Sequence, residues 1–161
     1  MAGREKKGYG YASKEVFKNA NYILIEHPVN QKECISFMER FVGTLGFKSV
    51  KIMSPQAHDE IISFTSQLPH AIAVSLINSD NEKYETGKYI GDSYRDLTRI
   101  ANINENLWSE LFLRNSDYLL ASIEAFEEQL DLIKVALKDN DERLLKDLFI
   151  KSSLRREKLE K

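Results

Sequence analysis

The sequence predicts a mainly helical fold preceded by a short unit of strand, helix and strand. Apolar residues recur at helical spacing through most of the chain beyond Pro55, whereas two short apolar runs before it have the length of strands. Serine, proline and glycine residues stand where these segments begin and end. We therefore expect two regions: residues 1–53, which contain the βαβ-like unit, and residues 54–161, which are all helical.

Composition places the chain among ordinary globular proteins and disfavours two classes of partner. The 161 residues are 42% hydrophobic and 30% charged, with a formal net charge of -2. Without an excess of lysine and arginine, the chain has no general electrostatic means of holding nucleic acid. No apolar run is long enough to cross a bilayer, and the first residues lack the apolar core of a signal peptide. We expect a cytoplasmic protein that binds neither nucleic acid nor a membrane.

The strand, helix and strand of the first region follow one another with short connections. Tyr22–Ile25 is a bounded apolar run typical of a buried strand. Apolar residues then recur at helical intervals through Gln31–Leu45, and Gly46 is placed to end that helix. Phe47–Met53 alternates apolar and polar residues as a second strand does. Because two strands are rarely stable alone, we expect them to belong to a larger sheet.

The helical region begins with a proline-interrupted helix. Ser54 can cap it and Pro55 can occupy its first position. Pro69 removes one backbone hydrogen bond, so we expect a kink or break there. His70 follows directly, either aimed into a cavity or hydrogen-bonded to a freed carbonyl. The apolar face predicted for this helix consists of Ile61, Ile62, Phe64, Thr65, Leu68, Ile72 and Leu76.

Two arginines stand four residues apart in the next helical segment, Gly91–Ala101. The spacing places Arg95 and Arg99 on roughly one face, where like charges cost roughly a few tenths of a kcal/mol. One interpretation is local neutralisation by Asp92 and Asp96. The other is that both guanidinium groups face a ligand with two negative groups, since their planar forks suit carboxylates.

A longer helix is predicted from an Asn104 cap to Asp139, and a last one from an Asp141 cap. The longer helix carries a heptad seam, which favours packing against another helix of the chain or the same helix of a second copy. The seam consists of Leu119, Ile123, Phe126, Leu130, Ile133 and Leu137.

Neither metal binding nor covalent catalysis is indicated. His27, His58 and His70 lie in separate segments without ligand spacing. Cys34, the single cysteine, excludes an internal disulfide and falls on an apolar helix face, where we expect an inert buried thiol. Trp108 is either a core residue or the wall of a cavity beside the arginines.

Three motifs in order resemble segments of one enzyme family. Residues 1–8, MAGREKKG, are similar to the end of a His-Pro-x-Ala-Gly-x-Glu-Lys-x-Gly motif. His58–Ala73 is similar to a His-Asp pair followed by Ser-x-Leu-Pro-His-x-x-Ala. Gly91–Ala101 matches Arg/Lys-Asp-x-Thr-Arg-Ile-Ala, with Trp108 nine residues beyond Arg99. Together they resemble the prephenate dehydrogenase family, the oxidoreductases of tyrosine synthesis.

The resemblance runs from the first residue to about Leu137 and implies both the fold and the cofactor. It implies a helical dimerisation and substrate domain at residues 54–161, preceded by the last strands of a Rossmann nucleotide domain. The family binds NAD or NADP through a GxGxxG loop that this sequence lacks, and its catalytic histidine would stand two residues before Met1. We therefore expect a fragment, with no catalytic residue of its own, that is inactive without the nucleotide domain.

The resemblance also assigns roles around the pocket for prephenate, which carries two carboxylates. It implies that Arg99 binds a substrate carboxylate and that His70 hydrogen-bonds the pyruvyl arm or the inhibitor tyrosine. Arg95 would reach the neighbouring subunit's pocket, with Asp96 holding the local charge. Trp108 would support the pocket wall. The expected partners are a second copy of the chain and prephenate or tyrosine.

Some residues depart from the family pattern. Asp92 and Ser93 stand where many members have glycine, and Arg4 and Lys7 stand where small hydroxyl residues are frequent. Either departure can alter the preference between prephenate and arogenate. The alternative to an enzyme part is a non-catalytic helical module that dimerises or senses tyrosine.

Overall fold

A computed structural model of the protein describes residues 9–159. Residues 1–8, with Arg4 and Lys7 and the first family-like motif, lie outside the described residues. The described elements are β1 (Asn21–Ile25), α1 (Lys32–Thr44), β2 (Ser49–Met53), α2 (Pro55–Ile62), a π-helical turn (Ser63–Gln67), α3 (Leu68–Asn78), α4 (Asp92–Thr98), a 3-10 turn (Arg99–Ala101), α5 (Glu105–Arg114), α6 (Ser116–Lys138) and α7 (Glu142–Leu159). Shorter 3-10 turns lie at Tyr9–Tyr11, Lys14–Val16 and Thr86–Lys88. The predicted class, mainly helical with a short strand unit, is confirmed.

The two strands pair in parallel and are connected by α1. Tyr22 lies opposite Val50 and Ile25 opposite Met53 in the ladder. Gly46, the second residue after α1, has a φ of +87°, a left-handed conformation that favours glycine at the end of a helix. The chain can therefore turn into β2, and the backbone N–H of Lys48 donates to the carbonyl of Ala20 at 2.8 Å.

The start of α2 follows local rules. The Ser54 side chain accepts a hydrogen bond from the N–H of Ala57 at 3.2 Å, and Pro55 is the first helical residue. Both expectations are confirmed.

The interruption expected at Pro69 takes the form of a π-helical turn just before it. The N–H of Leu68 bonds to the carbonyl of Ser63, five residues back, instead of the usual four. The wider turn keeps the chain helical through a proline that lacks a backbone donor.

The same π turn moves the buried face away from the predicted one. Phe64, expected inside, is 61% exposed, whereas Ser63 and Gln67 are buried. Buried Ser63 and Leu68 are five residues apart across the π turn, a spacing that a continuous α-helix would not place on one face. The predicted apolar face is therefore only partly correct.

The single long helix expected from Asn104 is interrupted, and that prediction is wrong. Asn104 occupies the position before α5, but its side chain makes no capping hydrogen bond. At Asn115 the backbone leaves the helical region, with φ -123° and ψ 29°, and α6 begins at the next residue.

The described residues divide into two compact units, one ending at Leu119 and the other beginning at Leu120. In the second unit, Asn140 takes a positive φ of 52° between the two helices. The Asp141 carboxylate then accepts from the N–H of Leu144 at 2.9 Å, which confirms the predicted cap. Along α6, Leu119 is buried, but Leu130 and Leu137 of the heptad seam are exposed.

Other sequence expectations concern side chains and membranes. Cys34 is exposed rather than buried, because the face of α1 that carries it and Phe37 is not covered by any described element. Within residues 9–159, no group of three potential metal ligands occurs. Among the helices of that same range, none has the length and apolar character needed to cross a membrane.

Candidate functional site

His70 lies two residues into α3 and has one ring nitrogen committed to the backbone. Its Nδ1 lies 2.8 Å from the carbonyl oxygen of Ser66. Because a carbonyl can only accept, Nδ1 carries the proton and donates. In the neutral ring, Nε2 is then the acceptor that remains for a ligand. The sequence left two alternatives for His70, and the hydrogen bond to a carbonyl near Pro69 is the one observed.

Trp108 packs directly against the ring of His70. The two ring centroids are 3.6 Å apart with an angle of 27° between the planes, a stacked arrangement. Phe112, one turn further along α5, meets Trp108 edge-on, with ring centroids 5.8 Å apart. Trp108 is 9% exposed. The indole therefore lies against the face of the imidazole ring and restricts its plane.

The arginine-bearing segment packs against α3, the helix that carries His70. Arg95 lies in the last turn of α4, and Arg99 begins the 3-10 turn that follows. The hydroxyl of Thr98 donates to the carbonyl of Tyr94 at 2.7 Å at this change of helix type. Both arginine residues are exposed.

The carboxylates that the sequence offers as local partners of the arginines, Asp92 and Asp96, are exposed, as Arg95 is. Local neutralisation and a shared ligand both stay predictions.

A partly buried amide pair near the histidine was not predicted from the sequence. Gln67, 4% exposed, donates from Nε2 to the carbonyl of Leu111 at 3.0 Å. Asn115 donates from Nδ2 to Oε1 of Gln67 at 2.8 Å and to the carbonyl of Asp59 at 2.9 Å. A sequence signal was present for Asn115, which is a weak helix former within a helical pattern.

Another buried polar atom lies near Trp108. The Oδ1 atom of Asn104 is buried and has no hydrogen-bond partner within the described part of the chain. Asn104 also accepts the backbone N–H of Trp108 through its carbonyl, at 3.0 Å.

Two of the cavities among the described residues lie elsewhere. One of about 540 Å³ lies at the carboxyl ends of β1 and β2, between His27, Lys32 and Ser54. The other, about 250 Å³, lies between α6 and α7 beside Ile133 and Phe149. Neither is lined by His70 or by the two arginines.

Comparison with protein families gives a match over most of the helical region. Residues 54–151 match the family described as the dimerization domain of prephenate dehydrogenase. The matched segment contains α2, α3 and the arginine-bearing segment, and it reaches into α7.

Individual relatives carry related names. The chain is 29% identical over 145 residues to the prephenate dehydrogenase of Bacillus subtilis, covering 88% of this chain and 39% of that protein. It is 27% identical over 157 residues to the cyclohexadienyl dehydrogenase of Zymomonas mobilis, covering 94% of this chain and 53% of that protein. The chain thus spans about half or less of the length of these curated relatives.

A solved structure has the same fold. The crystal structure of prephenate dehydrogenase from Aquifex aeolicus, in complex with hydroxyphenyl propionate and NAD+, matches with a TM-score of 0.82 at 30% identity. The match covers 98% of this chain and 56% of that one.

Proposed function

The chain belongs to the prephenate dehydrogenase family, and from this premise we propose that it is the dimerising, substrate-binding part of an enzyme that oxidatively decarboxylates prephenate. The observation that carries the proposal is the packing of α3, with His70 near its start, against the segment that bears both arginines. The proposal retains the division at residue 54 and the cytoplasmic location expected from the sequence.

The nucleotide is assigned to polypeptide beyond this sequence. The relatives have about twice the length or more, and this sequence contains no GxGxxG loop. In β1, Tyr22–Ile25 is apolar on both faces, as in strands covered on both sides, whereas Lys51 of β2 is exposed, as at a sheet edge. We place the remaining strands, which hold NAD or NADP and the catalytic histidine, beside β1. When bound, the nicotinamide accepts the hydride from the substrate ring.

The substrate is assigned to the surface near His70. Prephenate has one carboxylate on the ring and one on the pyruvyl arm, and Arg99 would bind one of them through two parallel hydrogen bonds. His70 would donate a hydrogen bond from Nε2 to the pyruvyl arm in the doubly protonated form of its ring, because the keto and carboxylate oxygens of that arm only accept, while Trp108 holds the ring in place. Arg95, with Asp96 beside it, would serve the pocket of the second subunit.

The second copy is assigned to the exposed heptad seam. Phe126, Leu130 and Leu137 expose large apolar surfaces along α6, an arrangement typical of interaction surfaces. We expect a homodimer by light scattering at micromolar concentration. Leu130→Asp should give a monomer, whereas Val29→Asp, an exposed site outside the seam, should not. A wild-type monomer would contradict the dimer.

Activity tests the enzyme assignment. We expect no prephenate-dependent formation of NADH or NADPH by this chain alone, and activity when a nucleotide domain from a relative is added. Addition of the same domain with its catalytic histidine replaced should give none. Turnover by the chain alone would contradict the assignment of the nucleotide and the catalytic histidine to a separate domain. Absence of turnover in every mixture would contradict the enzyme assignment.

A further inference from the structure

Two contacts between the same pair of helical segments lie one turn apart. Gln67 and His70 are three residues apart on one segment, and Leu111 and Trp108 are three residues apart on the other. His70 stacks on Trp108, and the Gln67 amide donates to the carbonyl of Leu111. Because residues three apart on a helix lie on the same face, the hydrogen bond and the ring stack are neighbouring connections across one interface.

We propose that Gln67 and Asn115 are positioning residues that set the orientation of the His70 ring. The proposal rests on the proposed function, in which His70 contacts the substrate, and it names residues that act on His70 without touching the ligand. Gln67 and Asn115 together connect three parts of the first unit, since Asn115 also donates to the carbonyl of Asp59 in α2.

The π turn explains why such a connection is needed. A π-helical turn has weaker intrinsic preference than an α-helix and changes the direction of every side chain that follows it. Gln67 is the last residue of this turn, and His70 is the third residue after it. A fixed Gln67 therefore fixes the rotation of α3 at the residues that set the direction of the imidazole.

The hydrogen bonds of Gln67 and Asn115 leave the two side-chain amides little freedom to rotate. Both donors of the Asn115 amide are used, one on Gln67 and one on Asp59, and Gln67 uses its oxygen and its nitrogen on different partners. Swapping the oxygen and nitrogen of the Gln67 amide would oppose donor to donor and acceptor to acceptor. The Gln67 amide therefore has one favoured orientation. It holds that orientation because both its oxygen and its nitrogen have hydrogen-bond partners.

The test is Gln67→Met, which keeps the side-chain length and removes both hydrogen bonds. We would record the ring ¹⁵N and proton resonances of His70 at one neutral pH, with the exposed His27 as an internal reference. Trp108 is the only tryptophan, so its fluorescence emission reports the stack. Gln56→Met, at an exposed position of α2, is the matched control.

We expect Gln67→Met to lose the hydrogen-bonded Nδ1 proton resonance of His70 and to shift the Trp108 emission to longer wavelength, while the control changes neither. A Gln67→Met protein that is folded, less stable and unchanged in both signals would show a merely structural role and overturn the proposal. Asn115→Ser leaves the bond to Leu111 in place, so it should give a smaller shift of the same sign.

Failure to fold is also decisive. If Gln67→Met does not fold, Asn115→Ser supplies the measurement; if neither folds, the pair is structural and the proposal is rejected. None of these measurements uses a ligand or turnover, so failure here is distinguishable from failure of the proposed enzyme assignment, which the activity assay tests.

Discussion

Replacing Trp108 with alanine should destabilise the first unit strongly. A tryptophan that is 9% exposed removes about 200 Å² of side-chain surface from water, worth about 5 kcal/mol at about 25 cal/mol per Å². A compact unfolded state lowers this to about 3–4 kcal/mol. That is a large fraction of the roughly 5–15 kcal/mol by which domains are stable.

Urea unfolding followed by circular dichroism measures this loss without relying on the tryptophan itself. Trp108→Phe keeps an aromatic ring against His70 and should cost less, about 1–2 kcal/mol. Leu113→Ala is the control, because Leu113 lies on the same helix but is 76% exposed, and it should change stability by at most about 0.5 kcal/mol.

A loss of less than about 1 kcal/mol on Trp108→Ala, the size typical of an ordinary substitution, would contradict the stabilisation expected from the buried indole. Such a result would mean that the surroundings of Trp108 collapse around the smaller side chain, or that the indole is far less covered than the structure indicates. The imidazole of His70 would then lack a rigid support.

Three further changes have defined outcomes. Ser54→Ala removes the cap of α2 and should cost about 1 kcal/mol in urea unfolding; no loss would contradict the cap. Gly46→Ala should destabilise by about 1 kcal/mol because of its positive φ, whereas Gly43→Ala, within α1 and with open space around it, should stabilise by up to about 1 kcal/mol; equal effects would contradict this. The Thr86 side chain is the main cause that holds the pKa of the Asp80 carboxyl below its usual value. Thr86→Val should therefore raise that pKa toward its usual value in an NMR titration, and the stability that the lowered pKa contributes, which is lost as the pH falls through it, should shrink; an unchanged pKa would contradict the role of the Thr86 side chain.

Features set by neighbouring residues were predictable from the sequence. The Ser54 cap and the Asp141 cap each join a side chain to a backbone N–H three residues on, so the necessary information lies within four residues. Gly46 is similar, since its role depends on the backbone angle at one position.

Features set by distant residues were not predictable. Gln67 bonds to Leu111, which is 44 residues away, and to Asn115, which is 48 away. The π turn and the break at Asn115 accompany these hydrogen bonds. The spacing of apolar residues along the sequence does not reveal bonding partners in a distant segment. Cys34 was expected inside because its helix face is apolar, yet burial depends on what covers that face.

Candidate site residues were easier to find than their arrangement. His70 and Trp108 were each singled out from the sequence, but their stacking was not anticipated. Arg95 and Arg99 were placed on one helix, whereas the structure changes from α-helix to a 3-10 turn between them. Their roles toward a ligand stay predictions.

Isothermal titration calorimetry of prephenate and of tyrosine into the chain tests the central claim, that Arg99 supplies the cation for a carboxylate of the ligand. A charge-assisted hydrogen bond contributes about 1.5–3 kcal/mol, so Arg99→Ala should weaken prephenate binding by about 10- to 100-fold. Arg114→Ala, which removes an exposed arginine paired with Glu110, should leave it within about twofold. Tyrosine binding without prephenate binding would favour a sensor module. Equal prephenate affinity of the wild-type and Arg99→Ala chains would contradict the account.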